Sequence, residues 1–167
     1  MHKLIYIFII TIMIFAFTSC SIKDENNSDI STTFTSQANV VFNDTEMICK
    51  ISRTATNIAC ISIIQPIELQ GITFSWTDNN YKVSYNELGY ENNIEILPNN
   101  SFAQAIINVL NSIESKENIS LVSSNDNTNT FNGTCSSGKF FVTVQKSNSS
   151  IKNIKLDEIN LIIDFFD

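Results

Sequence analysis

Histidine is almost missing from this chain: there is one, His2, beside the initiator methionine. If the leader that contains it is removed, the mature protein has no imidazole to act as general base, nucleophile activator or metal ligand. That excludes Ser-His-Asp, Cys-His and His-zinc chemistry together. Basic residues are also few, 10 Lys+Arg against 17 Asp+Glu, giving a net charge of −7. With no basic stripe to neutralise phosphates, nucleic acid is excluded as a partner, and so is adsorption to an anionic lipid surface. Only 4 Gly and 2 Pro occur, beside abundant Asn, Ser and Ile, which indicates a folded domain with polar loops. What is present, 43% apolar residues in 167, is enough for one folded domain with a real core and too little chain for two.

The long apolar run lies at the start. Met1-His2-Lys3 is followed by Leu4 to Phe17, interrupted only by Thr11. The run is short of the roughly 20 residues a membrane span needs and suits the core of a signal peptide. It ends in Phe17-Thr18-Ser19-Cys20, which resembles the lipobox of bacterial lipoproteins, although Phe17 stands where an aliphatic residue is usual. The resemblance implies that Cys20 is diacylglycerated and becomes the first mature residue. The expected organisation is a signal peptide at 1–19, a lipidated cysteine and flexible tether at 20–37, and a single antiparallel β domain at 38–167. Cleavage before Cys20 also removes Lys3, so the mature net charge is −7 − 1 = −8. The tether, Ser21 to Gln37, is polar and without sustained period; a short helix near Ile30 to Gln37 is the alternative.

From Ala38 onward the sequence alternates as strands do. Gly71 to Tyr90 declares a strand, a tight turn at Asn79-Asn80 and a returning strand, with Trp76 opposite Val83 and Phe74 opposite Tyr85 on an apolar face. Upstream, Ala38 to Phe42 and Thr45 to Arg53 form a hairpin with Val40 facing Met47, and Asn57 to Gln65 returns. A loop centred at Thr54-Ala55 sets Cys49 opposite Cys60, a spacing that permits a cross-strand disulfide; a reduced pair of small buried residues is the alternative. Ile67 and Leu69 run in one phase and Ile72, Phe74 and Trp76 in the other, so Gly71 between them predicts a bulge or sharp bend. Leu88-Gly89-Tyr90 reads as a turn, with Ile94 and Ile96 in a short strand beyond it.

Ser101 to Glu114 is the one clear helix. Ser101 and Gln104 have capping-box spacing, and Phe102, Ile106, Val109, Leu110 and Ile113 share a stripe. Further strands follow at Ile119 to Ser123, Thr128 to Cys135, Lys139 to Gln145, Ile151 to Leu156 and Ile159 to Phe166. In these, Phe131 faces Val144, Leu156 faces Ile159 and Ile154 faces Leu161. Asn125 to Asn129 has a superficial calcium-loop look but lacks the required glycine and terminal glutamate, so no metal site is expected.

The fold class is therefore mainly β: a large curved antiparallel sheet or unclosed barrel of roughly ten strands with one amphipathic helix packed on its apolar face. With the lipobox and the segment Pro66-Ile67-Glu68-Leu69-Gln70-Gly71-Ile72-Thr73-Phe74, this order of elements resembles exported lipoproteins of the lipoprotein-carrier (LolA/LolB and LppX-like) superfamily. The chain departs from them in lacking a convincing long N-terminal helix. The resemblance implies an unclosed barrel around an apolar cavity. The expected function is a lipid-anchored protein on the outer face of a bacterial cell membrane that holds a lipid or other apolar ligand against Ile72, Phe74, Trp76, Val83, Tyr85, Phe102 and Ile106. The alternative is a structural or protein-interaction lipoprotein of the cell envelope, those residues being ordinary core. No cofactor is expected. A carboxylate hydrolase would have to use Glu87, Glu91, Glu95, Asp157 or Glu158, whose spacing fits isolated surface acids, so no enzyme activity is expected.

Overall fold

The computed structural model describes residues 30–78, 80–86, 88–93 and 101–166. The strands are β1 (Phe34–Phe42), β2 (Thr45–Ala55), β3 (Ile58–Gln65), β4 (Ile72–Thr77), β5 (Asn80–Tyr85) and β6 (Leu88–Asn93). The helix α1 (Phe102–Ser115) follows, then β7 (Ser120–Ser124), β8 (Thr128–Cys135), β9 (Gly138–Gln145), β10 (Ile151–Leu156), a 3₁₀ turn (Asp157–Ile159) and β11 (Leu161–Phe166). All eleven strands belong to one antiparallel sheet in the order β6-β5-β4-β3-β2-β1-β11-β10-β9-β8-β7. The expected fold class holds, with eleven strands, and the sheet does not close, since β6 and β7 are its two edges.

The order follows from the connections. Short turns make two meanders, β1 to β6 and β7 to β11, and β1 joins them by pairing with β11 from Gln37↔Phe166 to Phe42↔Leu161. A flat sheet of this many strands would be about 50 Å across at the usual strand spacing, whereas a helix of this length is about 21 Å. Yet α1 reaches both arms: Trp76 on β4 donates to Gln104, and Asn108 donates to Ser137 in the β8–β9 turn. The sheet must therefore curl around the helix. This explains why α1 buries Ala103, Gln104, Ala105, Ile106, Ile107, Val109, Leu110 and Ile113, a broader face than the expected stripe. Ser101 caps the helix by accepting from the Gln104 N–H, while the Gln104 side chain turns to Trp76 and Asn108.

Several expectations are corrected. The β4–β5 pairing sets Trp76 opposite Tyr81 and Phe74 opposite Val83, a displacement of two positions from the expected register. The same displacement occurs at β8–β9, where Phe131 faces Val142, and at β10–β11, where Leu156 faces Leu161 and Ile154 faces Ile163. Each turn is simply placed one residue earlier or later, and because side chains alternate with period two every residue keeps its face. Val40 does face Met47. Cys49 and Cys60 are different: Cys49 pairs with Ile63 and Cys60 with Ser52. Here the register differs by an odd number of residues, so the two thiols lie on opposite faces, and both are free. The expected disulfide is excluded.

Leu88-Gly89-Tyr90 opens a strand rather than making a turn, and β1 begins at Phe34, inside the segment expected to be tether. The alternative of a helix over Ile30 to Gln37 fails for the same reason. Ile94, Ile96 and the whole leader with Cys20 lie outside the described residues. Gly71 has φ 89°, a left-handed conformation that ends the Pro66–Gly71 connection and delivers Ile72 to the inner face. Gly133 is required for space: a Cβ there would collide with the ring of Phe140, its cross-strand partner, which is itself fully buried. Gly133→Ala is expected to destabilise the domain by about 1–3 kcal/mol through overpacking, seen as a lower urea midpoint at unchanged slope.

Candidate apolar ligand site

The inner face of β4, β5 and β6 carries three rows of cross-strand neighbours. The register gives Ile72, Tyr85 and Leu88 in one row, Phe74, Val83 and Tyr90 in the next, and Trp76, Tyr81 and Asn92 in the third. Burial falls away toward the edge. Trp76 is 1% exposed and Tyr81 is buried, whereas Tyr85, Leu88 and Tyr90 are 47%, 75% and 55% exposed. The start of α1 closes one side of this face. Phe102 packs edge-on against Phe74, ring centroids 5.3 Å apart, and also lies 6.0 Å from Phe42.

The seven residues expected to meet an apolar ligand thus share one neighbourhood but not one environment. Trp76 and Ile106 are filled core. Ile72, Phe74, Val83 and Phe102 are half-buried against that core, and Tyr85 is exposed. Leu88 and Tyr90 extend the same face, although Gly89 between them has the local look of a turn. Their signal was the spacing: Tyr85, then Leu88 and Tyr90, continues the apolar alternation across a tight connection.

Beneath this region a line of amides ties the arms together. The Trp76 indole N–H donates to Gln104 Oε1 at 3.2 Å, Gln104 Nε2 donates to Asn108 Oδ1 at 2.8 Å, and Asn108 Nδ2 donates to Ser137 Oγ at 2.8 Å. The first link satisfies a buried indole N–H and a buried amide oxygen, and the other two are partly buried.

At the far end of α1 sits Arg53, on the inner face of β2 and 0% exposed. Its guanidinium donates to the Thr32 carbonyl at 3.1 Å, to Asn111 Oδ1 at 3.0 Å and to Glu114 Oε2 at 2.5 Å. Hydrogen bonds from Arg53 and then Thr56 hold the Glu114 carboxyl below the usual carboxylate range. Burial pushes the Cys49 thiol up to about 12 and raises that of Cys135 as well. Neither is a thiolate at neutral pH, so neither is set up as a nucleophile.

An opening of about 410 Å³ lies over the ends of β1, β2 and β3 and is lined in part by Asn39, Glu46, Ile48, Pro66 and Asp164. Its two carboxylates make it a poor environment for a hydrocarbon chain. Among the described residues no group of three or more His, Cys, Asp or Glu side chains is gathered to hold a metal, and no helix is long and apolar enough to cross a membrane.

No known protein family profile matches the sequence, and no curated protein matches it. Among solved structures the chain is similar to a LolA superfamily protein from Nitrosomonas europaea, at 11% identity and a TM-score of 0.42, over 80% of this chain and 82% of that one.

Proposed function

We propose that the protein is an exported lipoprotein, anchored through Cys20 to the outer face of a bacterial membrane, that binds an apolar ligand such as an acyl chain on the inner face of its curved sheet. The observation that carries the ligand is the incomplete cover of β4 to β6: half-buried Ile72, Phe74, Val83 and Phe102 run without interruption into exposed Tyr85, Leu88 and Tyr90. Concave surfaces of this composition are where apolar ligands bind, and contiguous exposed apolar area is costly in a protein that has no use for it. The short apolar run ending at Ser19-Cys20 supports the anchor.

A second reading, a structural or protein-interaction lipoprotein, is favoured by the complete burial of Trp76 and Ile106, which behave as ordinary core. Native mass spectrometry of protein taken from its own membrane separates the two. A co-purified lipid, lost in Phe74→Ser/Val83→Ser, is the expected result, and a clean apo mass in the parent would leave the interaction reading. Metabolic labelling with a fatty acid tests the anchor independently: label is expected in the parent and absent in Cys20→Ala.

A further inference from the structure

The two edges of the sheet are not alike. β7 is exposed throughout, and its ladder to β8 is broken by a register shift between Leu121 and Ser123, an irregularity of the kind that keeps an edge from pairing with another chain. β6 has no such guard. It pairs with β5 residue for residue from Asn80↔Asn93 to Tyr85↔Leu88, and it contains no proline and no lysine, with Glu91 as its one charge. Two residues separate Tyr85 from Leu88. A connection of that length closes on a hydrogen-bonded pair, so Leu88, Tyr90 and Asn92 turn their backbone groups to β5. Gly89 and Glu91 turn theirs to the open edge, where among the described residues no strand receives them.

We infer that β6 pairs antiparallel with β6 of a second copy of this chain, about a two-fold axis at Tyr90, so that the two sheets run on as one. Charge and strand length choose the register. Only registers that keep like faces together are open to a strand with one apolar face. An axis at Glu91 would set two carboxylates directly opposite, which is destabilising. An axis at Gly89 or at Asn92 would pair only Leu88 to Tyr90 or only Glu91 to Asn93. With the axis at Tyr90, Glu91 of each copy stands opposite Gly89 of the other. Gly89 has no side chain to meet it, and the Lys82 stem lies over that position, with Cε 3.0 Å and Nζ 3.8 Å from where a Cβ would stand. Lys82 is also the cross-strand partner of Glu91 within each copy. Two lysines and two glutamates therefore alternate around the axis on the outer face, each carboxylate with an ammonium on either side. On the inner face Tyr90 meets Tyr90 as a non-hydrogen-bonded pair, the closer kind, and the row Phe74, Val83, Tyr90 continues into the second copy. Leu88 and Tyr90, 75% and 55% exposed, gain neighbours on their open side. One short strand from each copy makes a small interface, in the weak range below about 1,200 Å². The pairing needs no bound ligand.

Oxidative cross-linking of the full-length gene product in bacterial cells, with copper phenanthroline and in a Cys60→Ser/Cys135→Ser background, tests the inference. Tyr90→Cys is expected to give a covalent dimer, because side chains facing each other across the axis are close enough for a disulfide with little adjustment. Glu91→Cys, which faces Gly89 and not itself, is expected to give about tenfold less. Added to Tyr90→Cys, Glu91→Lys surrounds the axis with ammonium groups only and is expected to lower the yield about tenfold, while Lys82→Glu/Glu91→Lys restores it. No dimer from Tyr90→Cys, equal yields from Tyr90→Cys and Glu91→Cys, or a yield indifferent to the charge changes overturns the inference. A cross-linked product of another mass in place of the dimer overturns it in favour of a foreign strand on the same edge. Light scattering of the unsubstituted protein in detergent at rising concentration gives an answer that no variant can obscure: a mass climbing toward the dimer is expected, and a constant monomer mass overturns the inference.

Discussion

Glu114→Ala is expected to lower the stability of the domain by about 3 kcal/mol, the low end of the penalty for stranding a buried charge, because Arg53 is buried while Glu114 itself is partly in water. The effect belongs mostly to the residue that stays behind. Arg53 is 0% exposed, and without Glu114 its charge keeps only the Thr32 carbonyl and Asn111 Oδ1 as acceptors. The reciprocal change should be milder. Arg53→Met fills the site with apolar atoms, and Glu114, whose side chain is 38% exposed, can return to water. A loss of less than about 2 kcal/mol is expected there. Urea denaturation of both variants checks the order; equal losses would mean that packing rather than charge dominates at Arg53.

The pH dependence has a definite sign. The folded-state pKa of Glu114 lies below its ordinary value of 4.5, so the folded state binds the proton less readily than the unfolded one. Its contribution is complete above that value and disappears as pH falls through the lower folded pKa. The stability gap between the parent and Glu114→Gln should be flat from pH 6 to 8 and should narrow only below about pH 4.5.

Trp76→Ala is the second large effect, at about 3–5 kcal/mol from lost burial and the void left behind. The side chain is 1% exposed and is also the first link of the amide line through Gln104, Asn108 and Ser137. Trp76→Phe should cost less in volume but leave Gln104 Oε1 without its donor, adding about 1–3 kcal/mol. Calorimetric melting of the two variants measures each part. A Trp76→Ala loss below about 1 kcal/mol would show that the indole lines a space rather than fills one.

Much of the architecture was legible because alternation reports the face of a residue directly. It does not report register. Moving a turn by one residue displaces the pairing by two, and Phe74, Val83, Phe131 and Ile154 remain inside whichever partner they meet, so the core of these three hairpins is the same in either register. The face of Cys60 is not legible in the sequence because β3 is apolar in both phases, with Ile58 and Ile64 beside Ile61 and Ile63, so only the length of the β2–β3 loop chooses between them. Arg53 was illegible for another reason. A lone arginine ending an apolar phase reads as surface, and its carboxylate partner lies 61 residues further along the chain on a different element. For Gln104 the sequence shows the capping spacing and not the buried indole it accepts from, since Trp76 is 28 residues away and meets it only once the sheet has curled.

The junction of β1 with β11 has a consequence for the order in which the molecule is made. Each meander consists of neighbours in sequence and can form as it emerges, but the seam between them joins Ala38 to Phe165 and Val40 to Ile163, near opposite ends of the described chain. Closing so long a loop is the slow part of such a topology. Until it closes, the first meander presents β1 as a raw edge, with Asn39 and Val41 backbone groups unpaired and ready to accept a strand from another molecule. Synthesis of the last six residues of the sheet is therefore the moment at which aggregation and folding are decided, and truncation just before Leu161 should yield a chain that collapses into oligomers rather than a smaller version of the domain.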